Sequence, residues 1–214
     1  MSYLPSNPKT FRICSDFEGR TGITSDIIVY NDLQESFGIS CKRNNLSLKH
    51  PRPSAFYKHG LLEKKVFIKY YKEMIHCFYF SWKKKGHICF SDLSNWEKNQ
   101  FYRTINLFII NILKQSSSKN FKKFLIFLFA LNDPKVILYY NDQKKQYDFY
   151  FFDLTIFLNI KKPKFSLRNF NTIEITIDSY TFFMRLHTAK NRIQKNISIK
   201  YDVTLQKSFF SNGS

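Results

Sequence analysis

Acidic side chains are scarce in this sequence: 16 Asp and Glu stand against 34 Lys and Arg, a formal charge of +18 over 214 residues. The sequence pI is about 9.7. Such a surplus favours a polyanionic partner, because each cation that meets a phosphate gains from counterion release. Abundant Lys, Asn, Ile, Phe and Tyr are also what an AT-rich genome encodes, so charge alone leaves a peripheral membrane or RNA-associated protein open. No amphipathic basic helix singles out the membrane. Cysteine is sparse as well, with Cys14, Cys41, Cys77 and Cys89 and no C-x-x-C pair. His76–Cys77 and His87-x-Cys89 match the spacing of no standard zinc finger, and the expectation is free thiols in a reducing compartment. Long apolar runs are missing too. The N-terminus, MSYLPSNPKTFRICSD, has no signal-like apolar stretch, and the longest run, Phe124 to Leu131, is too short to span a bilayer. A soluble, cytoplasmic protein with no membrane partner is expected.

What the chain does have is apolar residues, 43% of the total with 18% aromatic, enough to bury a core without disulfides. The expectation is one domain over residues 1–214. Within it, residues 11–54 form a hairpin and basic loop, 55–132 a helical region, and 135–206 a set of C-terminal strands. Phe56 to about Tyr79 repeats apolar residues at near-helical spacing and ends at Lys83-Lys-Lys-Gly86. Ser94-Asn-Trp-Glu97 reads as a capping box for a helix running to about Lys114. Gln115 to Lys119 reads as a loop, and a third helix starts at Asn120 and stops before Asp133-Pro134. Strands follow at 135–141, 146–152, 172–178, 182–187 and 197–205, the first two joined through Asp142-Gln-Lys-Lys145. Strand, helices, strands implies an α+β (mixed α/β) fold.

The densest chemistry lies in Ser15 to Ser54. SDIIVYN (Ser25 to Asn31) and FGISCK (Phe37 to Lys42) read as strands joined by the polar NDLQES. Side chains alternate along a strand, so Ser40 and Lys42 project together, and a paired strand brings Asp26 alongside them. A carboxylate beside a lysine suits metal-assisted phosphodiester hydrolysis. The acid holds Mg²⁺ against a phosphate oxygen, and the ammonium orients water or stabilises developing charge. Arg43, Asn44, Asn45, Lys49, His50 and Arg52 follow directly. Arg pairs bidentately with guanine or phosphate, Asn reads adenine or phosphate, and Lys or His meets the backbone, so this run suits a DNA clamp; a solvated basic loop is the alternative. Phe149 to Phe152 read as core rather than as stacking platforms for bases.

The blocks SDFEGRTG, SDIIV and GISCKRNNLSLKHPRPS resemble the HaeIII-type type II restriction endonucleases. FFMRLHTAKNRIQKNISIKYDVTLQ (Phe182 to Gln206) is similar to the closing segment of that family, and Phe121 to Asp142 fits the region between. The resemblance implies a restriction-endonuclease-like core with a catalytic β-hairpin, a helical middle and C-terminal strands. It also implies Mg²⁺-dependent cutting of double-stranded DNA at GGCC, and a cognate DNA methyltransferase that protects the host. Nucleases of this type often follow D…(D/E)-x-K, whereas Ser40 stands here two residues before Lys42, and a serine is no anionic ligand. The second carboxylate must come from elsewhere: Glu18, in a shared block, is the first choice, with Glu35 and Asp16 behind it. Catalysis is thus expected from Asp26, Lys42 and Glu18, with Asp26 and Glu18 on the metal. Arg185, His187, Lys190 and Asn191, in the closing block, are expected to contact DNA or to play structural parts at a strand end. The resemblance further implies a substantial segment ahead of the catalytic block, where ten residues precede Phe11 here, and Pro53 stands where the family shows an aliphatic residue. The second reading is therefore a truncated, non-cleaving, basic DNA-binding remnant.

Overall fold

The computed structural model describes residues 8–15, 25–31, 33, 36–43, 50–129, 135–152, 163–178, 180–205 and 210–212. The chain packs as two compact units: Met1–Ser47 with Phe129–Asn159 and Leu205–Ser214, and Leu48–Leu128 with Ile160–Thr204. Helices combine with one mixed and one antiparallel-rich sheet, so the fold is α+β.

The first unit is a six-stranded sheet in the order β1-β2-β3-β4-β5-β10. Its strands are β1 (Pro8–Ile13), β2 (Ile27–Asn31), β3 (Ser36–Arg43), β4 (Lys135–Asn141), β5 (Gln146–Phe152) and β10 (Phe210–Asn212). β-Branched and aromatic residues fill β2 and β4, as a pleated surface favours. β1, β2 and β3 run antiparallel, while β4 lies parallel to β3, from Gly38 beside Lys135 to Arg43 beside Tyr140. A parallel neighbour requires a long crossover, and the helices of the sequence lie between these two strands. β4 turns into β5 through residues 142–145, as the sequence suggests. Asn141 Oδ1 accepts from the backbone N–H groups of Gln143 and Lys144 at 3.0 Å each, and Lys145 takes φ 50°. The side chain of Asn141 thereby stands in for a backbone turn. Phe149, expected in a core, is instead 54% exposed, and its strand neighbours Tyr147 and Asp148 are exposed as well. Residues 150–152 lie in the same strand, and their side chains fall outside the description.

The second unit holds α1 (Ser54–Lys58), α2 (Lys64–Lys84), α3 (Asn95–Gln115) and most of α4 (Ser118–Phe129). With them is the sheet β6-β7-β8-β9: Lys164–Asn169, Thr172–Ile177, Tyr180–Thr188 and Ile199–Leu205. The helix expected from Phe56 is two helices. Gly60 adopts φ 75°, a left-handed conformation that ends the first, and Asn120 Nδ2 donates to the Gly60 carbonyl at 2.7 Å. The capping box of α3 is as its sequence implies: Glu97 N–H donates to Ser94 Oγ at 3.2 Å, and Ser94 N–H donates to Glu97 Oε2 at 2.9 Å. Lys85 adds a contact to Glu97 Oε1 at 2.8 Å, and with the Ser94 bonds it lowers the Glu97 pKa to about 2.

The core of this unit is aromatic. Phe56 lies 5.1 Å from Phe124 and 5.9 Å from Tyr201 between ring centroids, the latter edge-on. Ile173, Ile175, Phe182, Met184 and Leu186 bury the sheet face. Edge-to-face rings add to the gain from burial alone. Two polar groups enter this core in satisfied form: Tyr201 Oη donates to Asn106 Oδ1 at 3.0 Å, and Asn106 Nδ2 donates to the Phe170 carbonyl at 3.2 Å. No helix among the described residues is long and apolar enough to cross a membrane. The strands β1, β6 and β10 had no clear sequence signal. β1 is exposed along its whole length, and β6 sets only Phe165 and Leu167, both half-buried, on its inner face, so each offers just two alternating apolar residues.

Candidate active site

The register of β2 on β3 builds the site. Ile27 pairs with Ile39, which sets Asp26, one residue earlier, opposite Ser40. The backbone of Asp26 is locked on both sides: its N–H donates to the Ile39 carbonyl at 2.8 Å, and its carbonyl accepts from Cys14 N–H at 2.9 Å. Its side chain then reaches across the ladder, where Oδ2 accepts from Cys41 N–H at 2.7 Å and from Ser40 Oγ at 3.3 Å. Oδ1 has no partner among the described residues, and Asp26 is exposed. One carboxylate oxygen is thus anchored, and the other meets no partner among the described residues.

Ser40 is buried at 5% exposure, and Lys42 follows two residues on, half-buried, on the same face. Its other neighbour is Tyr139 of β4. Asp26 and Lys42 both act on the thiol between them. Partial burial and then the Asp26 charge push the Cys41 pKa up, while the Lys42 charge pulls it down.

A second carboxylate is not at hand among the described residues of this unit, which contribute Asp142 and Asp148 besides Asp26. Asp142 is taken by Arg43, whose Nε lies 3.0 and 2.9 Å from its two oxygens. That pairing raises the Arg43 pKa and fixes the guanidinium at the end of β3. Asp148 is opposite Tyr139, on the third strand from Asp26, roughly 14 Å away at normal strand spacing and too far to share an ion. Glu18, Glu35 and Asp16 lie outside the described residues, as do Asn44, Asn45 and Lys49.

The remaining expected residues sit in the second unit, and their surroundings are different. Asp202 of β9 is buried at 7% exposure and gathers three of them. His50 Nδ1 lies 2.6 Å from Oδ1, His187 Nε2 lies 3.0 Å from the same oxygen, and Arg185 Nη2 donates to Oδ2 at 3.1 Å. Burial alone would raise the Asp202 pKa, but the bonds from Arg185 and His50 and the charges of both histidines outweigh it and hold the group below the usual carboxylate range. Arg52 Nη1 donates to Ser198 Oγ at 3.2 Å. Asn191 braces the turn Phe90–Asp92: its Oδ1 accepts from Ser91 N–H at 2.9 Å and its Nδ2 donates to Ser91 Oγ at 3.2 Å. Lys190 beside it is exposed. The cluster joins the two sequence blocks that stand far apart in the chain. Its centre, Asp202, was not among the expected site residues. Its signal was available: a lone carboxylate in IKYDVTL, a strand of buried type, must be paired to be tolerated.

No curated protein and no solved structure matches this chain. A family model does: HaeIII restriction endonuclease, over residues 4–160. The match takes in the β2–β3 hairpin with Asp26 and Lys42, all four helices, and β4 and β5; of the Asp202 cluster it includes His50, while Arg185, His187 and Asp202 on β8 and β9 lie beyond it. With most of its length matched, from the hairpin through the fifth strand, the chain belongs to the HaeIII restriction endonuclease family.

Proposed function

We propose that this protein is a type II restriction endonuclease that hydrolyses double-stranded DNA in a Mg²⁺-dependent reaction. The observation that carries the reading is the Asp26 carboxylate, bound through one oxygen to Ser40 and Cys41 and without a partner among the described residues at the other, with Lys42 next along the same face. These residues fit a hard cation. Mg²⁺ keeps most of its waters and is held by one or two carboxylates together with substrate phosphate, so Asp26 Oδ1 suffices as one anchor, and Glu18 is the second carboxylate we assign. Bound there, the ion would neutralise charge building on the scissile phosphate. The protein's part is positional. Asp26 is fixed by its own backbone bonds on both sides. The Lys42 ammonium orients the attacking water or meets the negative charge of the transition state, close to where the carboxylate sits.

The +18 charge supports duplex DNA as the partner. We assign contacts to Arg43, Asn44, Asn45, Lys49, His50, Arg52, Arg185, His187, Lys190 and Asn191. Among the described residues Arg43 meets Asp142 through Nε alone, and we assign its terminal guanidinium nitrogens to a base edge or phosphate. GGCC as the target, and a DNA methyltransferase that shields it in the host, rest on the family resemblance. The non-cleaving DNA-binding reading is favoured by one observation: Ser40, a neutral residue, occupies the place beside Asp26 where a second anion would strengthen metal binding. Plasmid carrying GGCC separates the two. Mg²⁺-dependent linearisation of unmethylated but not methylated DNA is expected from the nuclease; retention of duplex binding with no cutting at any Mg²⁺ concentration would leave the second reading.

A further inference from the structure

We infer that His50, His187 and Asp202 form a binding site for a borderline divalent transition ion of the zinc type, separate from the Asp26 site. The three donor atoms, His50 Nδ1, His187 Nε2 and an Asp202 oxygen, all lie within 4.8 Å of one another. Zinc–nitrogen and zinc–oxygen bonds of about 2.0–2.2 Å put neighbouring ligands of a tetrahedral ion roughly 3.3 Å apart. The observed separations from Oδ1, 2.6 and 3.0 Å, need open by about 0.7 and 0.3 Å to admit it.

Two features argue for more than a satisfied buried acid. Asp202 already has a strong partner in Arg185, which takes Oδ2. Both imidazoles nevertheless aim a ring nitrogen at the other oxygen, although the chain brings them from positions 137 residues apart in sequence. Two nitrogen donors and one carboxylate suit zinc, cobalt or manganese and are a poor set for Mg²⁺, which takes oxygen ligands. The Arg185 bond then has the place of an outer contact that orients a ligating carboxylate. The Arg185 guanidinium repels an incoming cation, and its 59% exposed side chain lets water weaken that repulsion. His50 and His187 are also partly open, at 52% and 32% side-chain exposure. Three protein donors with an open side leave further coordination positions to water, the pattern of reactive rather than purely structural sites.

The test needs neither DNA nor cleavage. The full chain, stripped with chelator, is titrated with Co²⁺ while visible ligand-field absorption is followed, and the bound ion is then displaced with Zn²⁺. One saturable equivalent is expected, with affinity reduced at least about tenfold in His50→Ala and in His187→Ala. His50 is half exposed, so its variant should fold, and far-ultraviolet circular dichroism checks this for both. Asp26→Ala should bind Co²⁺ like the parent protein, which separates this site from the nuclease site. Absence of saturable binding by the parent chain overturns the inference. So does undiminished binding in both histidine variants. Strong thiolate-to-cobalt charge-transfer bands would overturn it too, by assigning the ion to cysteines.

Discussion

Two aspartates, one in each unit, invite comparison. Asp26 sits at the mouth of a hairpin, exposed, with one oxygen bound to Ser40 and Cys41 and the other without a partner among the described residues. Asp202 lies in a buried strand with His50, His187 and Arg185 on its two oxygens. The first is held by backbone and left chemically available; the second is committed on both sides. A carboxylate meant to meet a hydrated cation and a substrate must keep a free oxygen, at little gain to the fold. One buried among apolar residues must be fully paired, because an unpaired buried charge is costly. The contrast predicts that damage at Asp26 spares the fold and damage at Asp202 does not.

The largest effect should come from the hairpin. Asp26→Ala and Lys42→Ala are each expected to abolish plasmid cleavage, with melting temperature and duplex binding nearly unchanged. The losses should be non-additive in the double variant, since both groups serve one transition state. Additive losses would sink the shared-phosphate picture, and a large fall in melting temperature for Asp26→Ala would erase the contrast with Asp202.

Next in size is the salt dependence of DNA binding. With 18 excess positive charges, the log of the binding constant should fall with log salt by about 0.9 for each phosphate neutralised. Fluorescence anisotropy on a labelled duplex between low and moderate salt measures the slope. A flat line would remove the nucleic-acid reading for both units together.

Third comes Asp202. Replacing it with Asn should cost about 2 kcal/mol of unfolding free energy, read from urea melts, because the Arg185 and histidine contacts lose their anion. The pH profile gives the sign. The folded pKa is depressed, so the stability this group contributes is present above the ordinary carboxylate pKa and is lost as pH falls through the lower folded value. Glu97, lowered to about 2, acts in the same direction over the interval from its usual 4.5 downward. Asp202→Asn should therefore flatten only part of the acid limb, and Glu97→Gln another part. A wild-type stability that holds steady from neutral pH to below pH 3 would contradict both.

How much of this was legible beforehand follows from the same contrast. Asp26, Ser40 and Lys42 could be placed on one face from alternation alone, because the pairing was local and the two strands carry clear apolar runs. The Ser94–Glu97 box was readable for the same reason: its partners are three residues apart. The Asp202 cluster was not, since its members are separated by up to 152 positions, and only tertiary packing brings His50 to β9. Gly60 was missed inside a helical pattern because periodicity cannot show a left-handed φ. β1 went unseen because a short edge strand that opens on proline shows only Phe11 and Ile13 on one face, and both are exposed.

The smallest effect tests that missed break. Gly60 sits at φ 75° between α1 and α2, and a Cβ there would lie 3.4 Å from the Asn120 side chain, the group that caps its carbonyl. The space is tight but open, so the cost of Gly60→Ala should be mostly conformational, about 1 kcal/mol for a left-handed alanine. Gly86, at φ 83° with nothing within 4 Å, is the control, and its alanine variant should lose a similar amount without any steric part. Urea melts of the two variants side by side measure the difference. Both changes lie in the second unit, so cleavage per folded molecule should stay at the parent level in each. A Gly60→Ala loss several times that of Gly86→Ala would mean that Asn120 cannot yield. A cleavage defect at full folding would mean that the helical unit shapes the hairpin chemistry directly, and the division between a functional and a structural aspartate would have to be redrawn.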